Sequence, residues 1–227
     1  MKFYWDLFLR DLPIVTISAT AKKNLEKYSS HVVQIPHAVD LKIFFPGKKK
    51  TFQVLFVGRI IPEKGIVGII DAAKELKDIP FVFVGSGSAV PLVRDCGLSN
   101  VSYLGEIRDR DKLAQLFRES SVFVLNSYRI PGWEELYGIV LLEALASGTA
   151  LISTDCVGPK EIVKKEFGFL IPQKDAHALK ERIEWCSTHK KEVTAMGLAG
   201  RTFVEEHYDI EKLSTKWEEV LHRKAYK

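Results

Sequence analysis

Short runs of β-branched and aromatic residues recur along the chain and predict buried strands. They fall at residues 14–17, 32–35, 54–57, 81–84, 101–104, 122–125, 150–153 and 167–171. The segments between them carry apolar residues at helical spacing, as at Ile66, Ile69 and Ile70. Strands that alternate with helices long enough to cross a sheet predict right-handed βαβ units. The predicted fold class is therefore α/β, with a Rossmann-like, doubly wound parallel sheet.

The last third of the chain has a helical pattern instead. Leu179, Ile183 and Cys186 mark one amphipathic face. A second face near the end comprises Ile210, Leu213, Trp217, Val220 and Leu221. We therefore predict a helical C-terminus.

The composition is that of an ordinary globular protein, with 46% hydrophobic residues in 227. A net charge of +4 is too mild to indicate a nucleic-acid partner. Cys96, Cys156 and Cys186 lack the spacing of a zinc site or a disulfide framework, which favours a reducing compartment. The apolar opening at residues 1–9 is too short and too charged for a membrane span or a secretory signal. The sequence thus predicts a cytoplasmic protein.

Glycines and polar residues follow the predicted strands. The positions concerned are residues 58–59, 85–87, 105–106, 126–127 and 155–158. In open α/β sheets, ligands bind beyond the carboxyl ends of the strands, where helix N-termini offer free amides and partial positive charge. The sequence therefore predicts a binding crevice at this edge of the sheet.

Two cations follow the strand predicted at residues 54–57. Arg59 comes directly after Gly58, and Lys64 stands at the start of a helix that Gly65 opens. A forked guanidinium and a point charge beside helix amides suit a diphosphate. Solvated surface cations are the alternative, and for an isolated pair they are the commoner case.

Two glutamates lie in or just before the helix that is predicted to begin near Gly138. Glu143 lies in an otherwise apolar helix that begins near Gly138, where an acid is costly unless something pairs with it. A ribose diol is a suitable partner. Because helical side chains lean toward the N-terminus, the carboxylate can reach the crevice. Glu135 precedes the helix and either contacts a sugar hydroxyl or caps the helix.

The segment from Glu135 to Gly148 carries a family resemblance. Glu-Leu-Tyr-Gly-Ile-Val-Leu-Leu-Glu-Ala-Leu-Ala-Ser-Gly resembles the motif of two glutamates separated by seven residues in family-4 retaining glycosyltransferases of the GT-B fold. Residues 58–65 resemble the same family's donor-phosphate motif, and further matches follow in the family's order at 84–87, 104–105 and 155–163. Ordered motifs across residues 53–163 are far more specific than any one of them.

The resemblance implies a donor site for a nucleoside-diphosphate sugar. Glu143 would bind the ribose, and Glu135 a hydroxyl of the transferred sugar, with Arg59 and Lys64 on the diphosphate. The rest of the donor site would comprise Gly58, Gly85, Gly87, Gly105, Glu161 and the backbone amides of Tyr137, Gly138 and Ile139. The transfer would retain the anomeric configuration. We expect no cofactor and no metal, since the sequence offers no paired aspartates for a metal-diphosphate site.

The resemblance also implies three regions along the chain. Residues 1–35 would be a remnant of an N-terminal acceptor domain with the interdomain segment, 36–208 the nucleotide-sugar-binding domain, and 209–227 a helix that packs toward the N-terminal domain. We expect the chain to be inactive without that domain. We also expect it to self-associate or to recruit a separate acceptor domain through apolar ends. An acceptor held at a membrane would place the protein at the membrane periphery. The apolar end at the N-terminus comprises Phe3, Trp5, Leu7, Phe8 and Leu9, and the one at the C-terminus comprises Trp217, Val220 and Leu221.

Some departures and alternatives stay open. His37 and Ala38 stand where the family has Asn-Gly, which leaves the backbone geometry there open. A dinucleotide fingerprint at residues 85–87 lacks a third glycine and the acid that should follow. One alternative function is a non-catalytic nucleotide-sugar-binding subunit, and another is a GT-B-type epimerase or phosphorylase. The sequence does not predict the base, the sugar or the acceptor.

Overall fold

The structure is a computed structural model that describes residues 2–48 and 51–225. It divides the chain into two compact units. The first falls within residues 1–38 and 207–227, and the second spans residues 39–206. The functional roles predicted for the three regions of the chain stay predictions.

The second unit contains strands and helices in alternation. Its strands are β3 (Val54–Val57), β4 (Phe81–Val84), β5 (Val101–Tyr103), β6 (Val122–Leu125), β7 (Ala150–Thr154) and β8 (Gly168–Ile171). Its helices are α3 (Ile66–Glu75), α4 (Val90–Arg94), α5 (Arg110–Glu119), α6 (Ile139–Ala146), α7 (Val157–Ile162), α8 (Ala176–Thr188) and α9 (Lys190–His207), with a short 3-10 helix at Pro62–Lys64. Each strand lies within one residue of the run that predicts it. The α/β prediction is confirmed.

In the described part of this unit, the strands form one parallel sheet in the order β5-β4-β3-β6-β7-β8. Every residue of β3, β6 and β7 is buried, because helices cover both faces of a doubly wound sheet. The strand order reverses between β3 and β6, where Val54 pairs with Val122. Ligands bind at such switch points, beyond the carboxyl ends of the strands.

The helices bury the faces that their spacing predicts. In α3 the buried side chains include Ile66, Ile69 and Ile70, and in α8 they are Leu179, Ile183 and Cys186. These faces join one core cluster with the sheet. Burying an aliphatic or aromatic side chain of this size stabilises the fold by about 1.5–3 kcal/mol.

The first unit contains α1 (Lys2–Leu9), β1 (Ile14–Thr16), α2 (Ala19–Leu25), β2 (Val32–Gln34) and α10 (Ile210–Ala225). Within the described residues, β1 and β2 pair in parallel as a separate sheet. The predicted terminal helix exists, but of its predicted apolar face Leu213 is buried, whereas Trp217 is 42% exposed and Leu221 61% exposed. Among the described residues, no helix combines the length and apolar character that crossing a membrane requires.

Candidate functional site

The switch point between β3 and β6 brings two predicted site residues together. Lys64, from the 3-10 helix after β3, forms an ion pair with Glu135, which follows β6. Both side chains are only 12% exposed, and Ser127 Oγ donates a 3.4 Å hydrogen bond to Glu135 Oε2. Glu135 therefore does not cap α6, whose N-terminus has no side-chain cap. The structure gives Glu135 partners within the protein, and its predicted contact with a sugar hydroxyl stays a prediction.

The backbone around Glu135 is fixed by α7. Gly158 N donates to Glu135 O at 2.9 Å, and Val157 N donates to Glu134 Oε1 at 3.0 Å. A Cβ on Gly158 would lie 2.4 Å from Tyr137 N, so the two segments touch backbone to backbone. The loop between β6 and α6 is thus hydrogen-bonded and packed against the start of α7.

Glu143 lies at the fifth position of α6, between buried Leu142 and Ala144. Burial raises the pKa of its carboxyl to about 7, and the positive charge of Arg110 opposes that rise. Arg110 begins α5, which packs beside α6. A carboxyl held this way gains from ligand hydroxyls that donate to it, because they replace the water lost on burial.

Arg59, unlike Lys64, is an exposed cation. Its side chain is exposed and follows Gly58 at the carboxyl end of β3. Within the described residues, Arg59 forms no ion pair, whereas the charge of Lys64 is balanced by Glu135. The geometry therefore makes Arg59 the better placed of the two cations for a phosphate group.

The N-terminus of α6 faces the same crevice. Gly138 adopts the left-handed conformation with φ 83° and starts the helix. First-turn amides have no carbonyl partner inside their own helix, which suits an anionic group. Gly138 and Ile139 thus start α6 on the segment that follows Glu135. The predicted contact of the amides of Tyr137, Gly138 and Ile139 with a donor stays a prediction.

The predicted donor-site glycines have a structural reason of their own. Gly85 N donates to Gly105 O at 2.8 Å. A Cβ on Gly85 would lie 1.8 Å from Gly58 O, and one on Gly87 would lie 2.3 Å from Ile60 O. These glycines let backbone segments approach each other, so backbone packing explains them without a ligand. Their role in binding a donor stays a prediction.

Two other residues lie around α7. Cys156 is fully buried, with Sγ 3.4 Å from Ser127 O, as expected of a small packed residue. Burial raises the pKa of its thiol. Glu161 lies one turn beyond the end of α7 that contacts the Glu135 loop. Its predicted place in the donor site stays a prediction.

Residues 40–222 match the model of the family described as Glycosyl transferases group 1. The chain belongs to that family. The resemblance identified in the sequence is confirmed.

Curated relatives in this family are longer than the chain. It is 31% identical over 175 residues to a phosphatidyl-myo-inositol mannosyltransferase of Mycobacterium tuberculosis. The alignment covers 70% of this chain and 44% of the relative. It is 32% identical over 152 residues to the D-rhamnosyltransferase WbpZ of Pseudomonas aeruginosa, covering 63% of this chain and 38% of the relative. The chain thus spans about half the length of the curated relatives it matches, or less.

Solved structures of glycosyltransferases share the fold. The C-terminal domain of the group 1 protein LpcC from Francisella tularensis matches with a TM-score of 0.65 and 24% identity, over 76% of this chain and 99% of that domain. Anabaena HepE, solved with UDP and glucose, matches with a TM-score of 0.81 and 16% identity, over 97% of this chain and 66% of that one. The Rossmann-like GT-B architecture is confirmed.

Sequence reasoning missed two residues of this site. Trp133 places its ring centroid 5.6 Å from Lys64 Nζ, and Glu134 binds the first amide of α7. Both lie in a loop without periodicity. The sequence signal was the density of aromatic and acidic residues just before Glu135.

Proposed function

We propose that this chain is the donor-binding half of a retaining glycosyltransferase, which moves a sugar from a nucleoside-diphosphate sugar to an acceptor. One observation carries the proposal: Glu143, Lys64 and Glu135 lie on segments that meet at the β3–β6 switch point. Family membership supports sugar transfer. The Anabaena structure that shares the fold contains UDP, which supports the proposal of a nucleotide donor.

In the proposed complex, Glu143 accepts hydrogen bonds from the ribose hydroxyls. Arg59 and the amides at the start of α6 face the diphosphate and stabilise the charge that develops on it as it departs. A fixed donor of this kind is worth about 10² to 10³ in rate. Lys64 holds Glu135 toward the transferred sugar. The same proposal includes retention of the anomeric configuration, transfer without a metal, dependence on an acceptor domain and a cytoplasmic location.

Calorimetric titration tests the donor site. Uridine, guanosine and adenosine diphosphates, each with its nucleoside as reference, are titrated into the 227-residue chain. We expect the chain to bind the diphosphate of one of the three bases. Arg59→Ala should weaken the binding free energy of that diphosphate by about 1.5–3 kcal/mol and leave the affinity for the nucleoside unchanged. The matched control is Arg94→Ala, an exposed arginine at the C-terminal end of α4.

Equal losses for diphosphate and nucleoside would show that Arg59 does not face phosphate. If the chain bound none of the three diphosphates, the proposed donor site would be wrong.

A further inference from the structure

The loop that carries Glu135 contains a tight hairpin. Ile130 N donates to Trp133 O at 3.0 Å, and Trp133 N donates back to Ile130 O at 3.1 Å. Pro131 and Gly132 close the turn, with Gly132 in the left-handed region at φ 80°. Such a closed turn fixes where the Trp133 side chain starts.

The hairpin is also anchored at its base. Tyr128 N donates to Glu63 O at 2.9 Å, and Arg129 N donates to Gln173 Oε1 at 2.7 Å. Tyr128 further lies under Lys174, whose Nζ is 4.7 Å from the ring centroid. The loop is therefore joined by these contacts to segments that follow β3 and β8.

Trp133 is held beside the charged pair of the site. Its ring centroid lies 5.6 Å from Lys64 Nζ, within the range of a cation-π contact. The side chain is half-buried, and it does not belong to the core cluster of the described residues. An indole in this position keeps apolar ring surface for a ligand next to a carboxylate and an ammonium group.

A pyranose needs this combination of groups. One of its faces presents C–H groups that pack on an aromatic ring, while its rim presents hydroxyls that bind charged side chains. Glu135 and Lys64 supply the charged groups, and Trp133 supplies the ring. Resting on the proposed function, we propose that Trp133 packs against the pyranose of the donor and so contributes to recognition of the sugar moiety, not of the nucleotide.

The test compares each nucleoside diphosphate with its hexose conjugate. UDP and UDP-glucose, GDP and GDP-mannose, and ADP and ADP-glucose are titrated into the parent, Trp133→Ala, Trp133→Phe and the control Trp185→Phe. Trp185 suits as control because it is half-buried in α8, stacked on His189 with ring centroids 4.2 Å apart. Tryptophan emission is recorded in the same titrations.

We expect Trp133→Ala to bind the diphosphate as the parent does and to lose about five- to tenfold in affinity for the sugar conjugate. Trp133→Phe should keep most of that affinity. The emission change on adding the conjugate should vanish in Trp133→Phe and persist in Trp185→Phe.

Three outcomes would overturn the role of Trp133. Trp133→Ala could lose equal affinity for both ligands, or it could lose affinity for neither. The parent could also bind the conjugate no better than the diphosphate. In each of these cases diphosphate binding by the parent still supports the proposed donor site. Absence of diphosphate binding would overturn both proposals.

Discussion

Glu143→Gln should stabilise the isolated protein at pH 8 and weaken its affinity for nucleotide. In the folded protein, burial raises the pKa of this carboxyl from 4.5 to about 7. As the pH rises, the unfolded chain therefore ionises the carboxyl before the folded chain does. The folded state binds more protons in that interval, so the parent loses stability between pH 4.5 and 7. Glutamine is neutral at every pH and escapes this loss.

The size of the effect follows from the two pKa values. The interval from 4.5 to about 7 corresponds to about 3 kcal/mol, at about 1.4 kcal/mol for each pKa unit. Because Glu143 keeps some contact with solvent, this is an upper value, and we expect about 1–3 kcal/mol at pH 8. Below pH 4.5 both side chains are neutral, and the pH-dependent part of the difference disappears.

Urea unfolding at pH 4, 5, 6, 7 and 8, followed by circular dichroism, measures the difference. Glu184→Gln is the matched control, since Glu184 is exposed in the middle of α8. A difference between parent and Glu143→Gln that stays constant over the whole pH range would refute the reasoning, because the carboxyl would then ionise at its ordinary pKa. Nucleotide affinity of the parent, relative to the glutamine variant, should rise as the pH rises through 7.

The remaining predictions concern packing and association. Gly85→Ala should lower the free energy of unfolding by about 2–4 kcal/mol, because its Cβ would strike Gly58 O. Gly105→Ala, whose Cβ would meet open space at φ 75°, should cost only about 1 kcal/mol, so equal losses would contradict the close-approach argument. Deleting residues 1–12 should reduce self-association in light scattering and spare nucleotide binding, since Trp5 and Phe8 are 55% and 63% exposed. A parent that is a monodisperse monomer would contradict this.

The central strands of the second unit could be predicted because they are buried on both faces. β3 and β6 are continuous apolar runs, and β7 begins with one and ends on buried Ser153 and Thr154. Helix starts were equally clear, since Gly65 and Gly138 hold the left-handed conformation at the N-cap position, just before the first residue of α3 and α6. The order of the strands in the sheet could not be predicted, because pairing joins residues far apart in sequence. Nor did the sequence show that β1 and β2 pair in a sheet of their own.

The site was predictable only where its signal is local. Glu143 stands out because it interrupts an apolar helix, and the structure gives it the perturbed pKa that the pattern implies. The pairing of Lys64 with Glu135 joins residues 71 positions apart, so the sequence could name both and not their contact. Trp133 lies in a loop with no period, so its position next to Glu135 in the sequence was the only signal, and its contact with Lys64 could not be predicted.

Within the described residues, a buried polar atom without a protein partner lies just beyond the carboxyl end of β6, beside the proposed site. Among the described residues, the fully buried side-chain atoms without a hydrogen-bond partner are Asn126 Oδ1, at the end of β6, and Ser147 Oγ, at the end of α6. Glu143 lies between them in sequence, with its pKa raised by burial. Each such group costs about 1–3 kcal/mol. Ser147 lies at the end of α6 opposite to the site, so its cost has no link to a ligand. A fold selected for stability alone would remove the costs at Asn126 and Glu143, which favours ligand binding as the reason for keeping them.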